Sequence, residues 1–304
     1  IPMEGPWLEI ENDGNKVVST QISQTKKLPI TQLIKALHGF EKGRDRQTQT
    51  AGKSLHKKLV EPLSDPDTGE VILDKGVILT KKVMAGLTEE QLGFEALVES
   101  PLGNNDEMLW WLGEEVSLRS LTEEEATKLA EGKGTEDQRR ELMRCAISLE
   151  NLVGARPLED IKEGSKTLVK ALERIDEEHA KKVLELGLET LELLVIPEHI
   201  EITLAADKTA NTREAILDIY KRMRPGEAAV EDAARQLVFS LFFDLKRYDF
   251  GKVGRRFINQ RLGLNVPLDI RNLTSDDLAG ALKEMTPYLS KEAEHDDIDD
   301  LRNK

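Results

Sequence analysis

The chain has 304 residues and carries 43 Lys plus Arg against 57 Asp plus Glu, a net charge of -14. With Gly added to the 39% of apolar residues and Tyr removed the share is roughly 45%, that of a globular protein, so disorder of the whole chain is excluded, and no apolar run reaches the ~18 to 20 residues needed to cross a bilayer. A single cysteine, Cys145, excludes an internal disulfide framework and a cysteine-based zinc site, and the acidic balance excludes a surface that is basic throughout while leaving room for a local basic patch.

The chain opens Ile1-Pro2-Met3-Glu4, with neither the basic nor the apolar region of a signal peptide, and closes Leu301-Arg302-Asn303-Lys304 without an anchor motif. Both ends read as cuts inside a longer polypeptide. Trp7-Leu8-Glu9-Ile10-Glu11 alternates apolar and acidic residues, Asn12 to Asn15 turns, and Val17 to Ile22 continues, which predicts an N-terminal β-hairpin with one wet face. After Pro29 the spacing Ile30, Leu33, Ile34, Leu37 predicts a helix that Gly39 stops. Residues 41 to 54 are polar and basic without a period and read as a loop. Leu59 to Leu79 predicts a small β unit with a tight turn at Gly76.

From about 81 to 190 helical patterns dominate, with Thr122-Glu123-Glu124-Glu125 as a helix start and a helical period from Leu168 through Leu172, Ile175 and Val183 to Leu186. Leu191–Val195 and His199–Leu204 read as strands. Residues 211 to 223 and 229 to 243 are amphipathic helices split by Arg224-Pro225-Gly226, which cannot continue a helix, and a last helix is predicted from Ser275, its cap, to Met285. The fold class is α+β and mostly helical.

Charge is uneven along this map. Residues 213 to 272 hold 12 Lys plus Arg against 8 Asp plus Glu, a local balance of +4, and six of the chain's 13 aromatics fall between Phe239 and Phe257. Cations for phosphates and rings for stacking are what a nucleic-acid surface uses, whereas the bland alternative makes Phe239, Phe242 and Phe243 helix core and leaves the cations solvated.

Other motifs carry less. Gly52-Lys53-Ser54 lacks the first glycine of a phosphate loop, since Gln47 stands in its place, and Gly132-Lys133-Gly134-Thr135-Glu136-Asp137 breaks the dinucleotide pattern at its last position. His38, His56, His179, His199 and His295 are scattered, and Cys145 sits in a helical stretch as a structural thiol. The run Glu294 to Asp300 masses hard oxygen ligands but lacks the spacing of a calcium loop.

Three segments change the weighting. They are Ile1 to Glu11 with Lys26-Lys27-Leu28-Pro29-Ile30, then Ile219 to Glu227 followed by Leu241-Phe242-Phe243-Asp244-Leu245-Lys246-Arg247-Tyr248-Asp249-Phe250-Gly251-Lys252-Val253-Gly254-Arg255, then Asp296-Asp297-Ile298-Asp299. In this order they resemble the lobe domain of the bacterial RNA polymerase β subunit. The resemblance covers residues 1 to 40 and 197 to 304, and 41 to 196 resembles the mixed β and helical, lineage-variable insertion of that lobe. Leu59 to Leu79 looks like half of a small β-rich module whose continuation would be Leu168 to Val195.

The resemblance implies a non-catalytic wall of the main DNA cleft, facing downstream duplex and the non-template strand. Trp7 would stack on a non-template base, and Ile298 with Asp299 would form a pocket for a flipped guanine, which makes the acidic run a base-recognition element rather than a metal site. Arg222, Met223, Arg224, Pro225, Gly226 and Glu227 match the gate loop on the DNA entry path. Arg224 and Arg247 would lie near the non-template strand, and Lys252, Arg255 and Arg256 extend that basic surface unless they pair with Asp244 and Asp249. No cofactor is expected in this chain, because the enzyme's Mg2+ and its N-A-D-F-D-G-D motif belong to another subunit. The implied partners are DNA, the rest of β, β' and σ, with no membrane and a cytoplasmic, nucleoid-associated setting. Departures are Asp300, Arg302 and Lys304 in place of the usual His, Gly and Arg, and Ala228-Ala229 in place of a Pro pair. A rival reading makes the acidic helical middle a docking module, anchored by Trp110, Trp111 and Leu112.

Overall fold

A computed structural model describes residues 8–12, 16–23, 26–41, 47–164 and 166–289. Trp7, Ile298 and Asp299 lie outside the described residues, as does the acidic run 294–300. The chain divides into two compact units, residues 1–112 with 197–304, and residues 113–196.

Unit 1 opens with three antiparallel strands, β1 (Ile10–Asn12), β2 (Val18–Ser23) and β3 (Lys26–Pro29), in the order β1-β2-β3. The expected hairpin is therefore extended by a third strand, with Thr20 opposite both Ile10 and Leu28. Pro29 ends β3 and α1 (Ile30–Glu41) follows at once. Gly39 does not stop this helix. It lies inside it, where a Cβ would run into Thr212 Cγ2, so glycine is needed for close approach rather than as a terminator.

Residues 47 to 54, read as loop, instead form β4 (Gln47–Thr50) and a 3-10 turn at Ala51–Lys53. Strand pairing to β8 overrides their polar composition, and Ala51 is fully buried. There follow β5 (Lys58–Leu59), β6 (Leu63–Ser64), β7 (Val71–Leu73), α2 (Lys81–Ala85), α3 (Glu89–Leu92), β8 (Glu95–Glu99) and α4 (Asn105–Leu112). The sheet β4-β8-β5 and the β6-β7 pair surround a core of Ala51, Leu59, Leu63, Leu79, Ala96 and Val98.

Unit 2 comprises β9 (Glu114–Arg119), α5 (Glu123–Ala130), α6 (Glu136–Cys145), α7 (Leu149–Leu152), β10 (Arg156–Pro157), β11 (Ile161–Glu163), β12 (Lys166–Val169), α8 (Glu177–Glu185) and β13 (Thr190–Val195). Its main sheet has the order β10-β13-β9, and its core gathers Leu118, Leu152, Ile161, Val169, Ile175, Val183 and Leu193. Thr122 starts α5 with a full capping box to Glu125, as its sequence predicts. The helical reading of 168 to 186 holds only for α8. Leu168 is in β12, Leu172 turns at φ +61°, and Asp176 starts the helix by accepting from His179 N–H. Leu59 to Leu79 and Leu168 to Val195, expected as halves of one module, fall in different units.

The chain returns to unit 1 with α9 (Glu198–Ala206), α10 (Thr212–Met223), α11 (Glu231–Phe242), α12 (Gly251–Leu262) and α13 (Ser275–Leu289). The strand expected at His199–Leu204 is helical: its β-branched residues Ile200 and Thr203 face the core of a helix that packs on β2 and α1. The last helix runs past Met285 through Pro287, and Thr274 caps it by accepting from Asp277 N–H at 3.2 Å. Ser275 instead donates its hydroxyl to Glu41. The contact boundary between units lies after Leu112, so residues 47 to 112 pack with unit 1 rather than with 113 to 196.

The centre of unit 1 is α1. Ile30, Leu33, Ile34 and Leu37 are fully buried against α10 and α13, and the polar residues of the helix are buried too. Three of the latter reach distant partners: Thr31 donates to Asp207 at 2.9 Å, Gln32 to Asp218 at 2.7 Å, and Lys35 to Asn105 at 2.8 Å and to the Thr209 carbonyl. Lys35 also pairs with Asp207 at 2.8 Å, and burial pulls its ammonium below the ordinary value while Asp207 pulls it back up.

Candidate nucleic-acid interface

The first part of the candidate interface lies where α10 ends. Arg224 leaves the helix, its N–H still bonded to the Tyr220 carbonyl at 2.8 Å, and Pro225 and Gly226 make an exposed turn. Gly226 has φ +91°, a value a side-chain-bearing residue adopts only with strain. Glu227 fastens this turn to the helix by accepting from Tyr220 Oη at 2.7 Å and from Arg224 Nη1 at 3.4 Å. The Tyr220 bond holds the Glu227 carboxyl below its usual range and raises the phenol in return. Arg222 is tied to Asp218 at 2.6 Å and to the Lys27 carbonyl at 3.3 Å, and Met223 is half-buried. The turn is thus exposed and pinned at its base.

The second part runs from Asp244 to Arg256. Asp244 and Asp249, the proposed acid partners of the cations, are otherwise engaged. Asp244 accepts from Lys246 N–H at 3.0 Å, whereas Asp249 accepts from Gly251 N–H at 2.6 Å and pairs with Arg271 at 3.1 Å. Arg247, Lys252 and Arg256 are exposed and have no ion-pair or hydrogen-bond partner for their side chains among the described residues. Helix α12, which the sequence reading did not anticipate, places Lys252 and Arg256 one turn apart, with Val253 (68% exposed) and Phe257 (66% exposed) in the neighbouring row.

Arg255 leaves this surface. Its side chain is fully buried, pairs with Asp277 at 2.6 Å, and donates to the carbonyls of Ile270 at 2.7 Å and Asn272. A guanidinium spent in this way cannot reach a phosphate, so the expected DNA contact at Arg255 is corrected to a structural one. The helical period carries the signal: Gly251 and Arg255 lie on the inner face and Lys252 and Arg256 on the outer. Phe242 and Phe243 are core, as the bland reading has it, whereas Phe239 is 47% exposed and departs from that reading.

The tryptophan pair is not an exposed anchor. Trp110 and Trp111 are both half-buried, Leu112 is buried, and the ammoniums of Lys57 and Lys283 lie 4.2 and 4.7 Å from the Trp111 ring centroid. Among the described residues no group of three or more His, Cys, Asp or Glu is placed to hold a metal ion, and no helix is long and apolar enough to cross a membrane.

Residues 168–304 match the family model of RNA polymerase Rpb2, domain 2. The class to which this stretch is similar is therefore an RNA polymerase domain. The whole chain aligns with proteins named DNA-directed RNA polymerase subunit beta, at 30% identity in Rhizobium etli, 31% in Sinorhizobium fredii and 29% in Desulfosudis oleivorans. It spans 20% of the length of these relatives. These matches support a fragment of a bacterial RNA polymerase β subunit, to which the chain is similar over its whole length.

Proposed function

We propose that this chain forms a non-catalytic wall of the polymerase's DNA cleft. Arg224, Arg247, Lys252 and Arg256 face DNA, the turn from Arg222 to Glu227 acts as the gate loop, and Trp7, Ile298 and Asp299 contribute non-template base contacts. In this reading the enzyme's nucleotidyl transfer and its Mg2+ belong to another subunit, the partners are the rest of β, β' and σ, and the setting is cytoplasmic. The observation that carries it is the set of three exposed cations at Arg247, Lys252 and Arg256, unpaired among the described residues, with the exposed ring of Phe257 one position on from Arg256. Unpaired cations bind phosphate without first breaking an internal pair, and an exposed ring offers a stacking platform.

The test is a reconstituted polymerase carrying Arg247→Ala, Lys252→Ala and Arg256→Ala together. The open complex should be shorter-lived, and the slope of log affinity against log salt should fall by roughly 2, at ~0.7 per single-strand phosphate contact. An unchanged lifetime and slope would refute the assignment.

A further inference from the structure

We propose that the pocket between the C-terminal end of α1 and the start of α13 is a binding site for a primary alkylammonium group. Three acids meet at this junction. Asp277 has a cation, Arg255, and Glu41 accepts from the Ser275 backbone N–H at 2.9 Å and from its hydroxyl. Asp276 bonds neither among the described residues: it is 8% exposed, and its Oδ1 is buried there with no hydrogen-bond partner. A buried carboxylate oxygen without a donor is costly, and that cost points to a missing positive donor. Lys283 feels the charge of Asp276, but its ammonium sits over the Trp111 ring and does not bond the carboxylate. Burial and the nearby Asp276 and Asp277 push Glu41 up to about 8, so a proton stands where a cation could serve both acids.

The pocket's size and walls select the cation. Its cavity is about 30 Å3. At ~10–15 Å3 for one water-sized group, that holds an ammonium and its first methylene, and the rest of a stem leaves through the open side. Thr274 lies beside the acids, and Phe243, Val266 and Ile270 form an apolar wall for an alkyl stem, with Phe243 available for a cation–π contact. A divalent metal would find only two carboxylates here. The ligand is the end of a free alkylamine or the lysine side chain of another protein, and the same chemistry recognises both.

The experiment titrates the 304-residue chain with n-butylammonium chloride, followed by calorimetry and by the side-chain amide resonances of Asn272 and Gln47. Saturable one-to-one binding is expected, with shifts of those amides that neither n-butanol nor tetramethylammonium chloride reproduces. Asp276→Asn should weaken binding at least tenfold. Absence of saturation, equal shifts with butanol, or undiminished binding by Asp276→Asn would overturn the proposal. If that variant does not fold, the contrast between butylammonium and butanol on the unaltered chain decides alone. Comparing Nα-acetyl-lysine N-methylamide with 1,4-diaminobutane then identifies the source: tighter binding of the first indicates a protein side chain, and of the second a free amine.

Discussion

In unit 1, Lys35 with Asp207 and Arg255 with Asp277 are buried ion pairs whose spare donors go to backbone carbonyls, whereas in unit 2 the pairs Arg140–Glu136, Lys181–Glu177 and Lys182–Glu178 lie on the surface one helical turn apart. The buried pairs join segments far apart in sequence, so they act as junctions of the tertiary structure. The surface pairs support only the helix that carries them, and solvent screens them. A buried pair is weak evidence for high stability, because desolvation offsets the attraction, but losing one partner strands a charge in the interior. Unit 1 should therefore be far more sensitive to single charge changes than unit 2.

The largest expected effect tests that asymmetry directly. Arg255→Met leaves Asp277 buried without its cation, and unit 1 should lose about 3–5 kcal/mol. Adding Asp277→Asn should recover part of the loss, because the stranded charge is gone. Unit 2 contains no Trp, Tyr or Phe, so tryptophan fluorescence in a urea titration reports unit 1 alone. Arg140→Met should leave that transition in place. Equal midpoints for Arg255→Met and Arg140→Met would break the comparison.

Glu41 sharpens it through pH. Its carboxyl is raised from 4.5 to about 8, first by burial, so the folded chain keeps a proton that the unfolded chain releases. The stability tied to this group is complete below about 4.5 and is lost as pH rises through about 8. Glu41→Gln removes the slope, so relative to the parent the variant should gain stability from pH 5 to pH 8, on the order of a few kcal/mol at most. Asp277, raised mainly by burial, acts in the same sense, and His199, lowered by burial, in the opposite one. His199 is present in either chain and cancels in the difference, whereas Asp277 acts on Glu41 directly and is part of the effect measured. Parallel stability curves for the two chains would contradict the raised Glu41.

The same contrast explains what could be read from sequence. Caps and breakers are local, so Thr122, Pro225-Gly226, and the helices ending at Met223 and Phe242 were legible from residue type and spacing. Residues 47 to 53 and 168 to 172 were not, because long-range pairing decides their structure: Gln47 to Thr50 read as polar loop until β8 pairs with them. Nor could Gly39 be told from a helix stop without Thr212 beside it. At the candidate interface the cations were visible in composition, but inner and outer faces were not assigned because α12 itself went unrecognised, and Arg255 was placed on the wrong one. The long motif from Leu241 to Arg255 carried the resemblance to the β subunit, since it is specific irrespective of which of its residues are exposed.

The smallest effect belongs to unit 2. Thr122 accepts from Glu125 N–H at 3.3 Å while Glu125 accepts from Thr122 N–H at 3.0 Å and takes both Arg119 bonds, at 2.7 and 2.8 Å. The Arg119 bonds, first among these contacts, hold Glu125 down at about 2. Thr122→Ala should cost about 1 kcal/mol, felt as faster hydrogen exchange of the α5 amides with the fluorescence transition of unit 1 unmoved. Because the folded Glu125 carboxyl is depressed, its contribution is present above about 4.5 and lost as pH falls towards about 2. Protection of α5 should accordingly fade over that acid range, whereas the Glu41 effect appears only on the alkaline side of it. Should Thr122→Ala instead shift the tryptophan transition of unit 1, the caps of unit 2 would not be local devices, and the division of charge between junctions and helix ends would have to be abandoned.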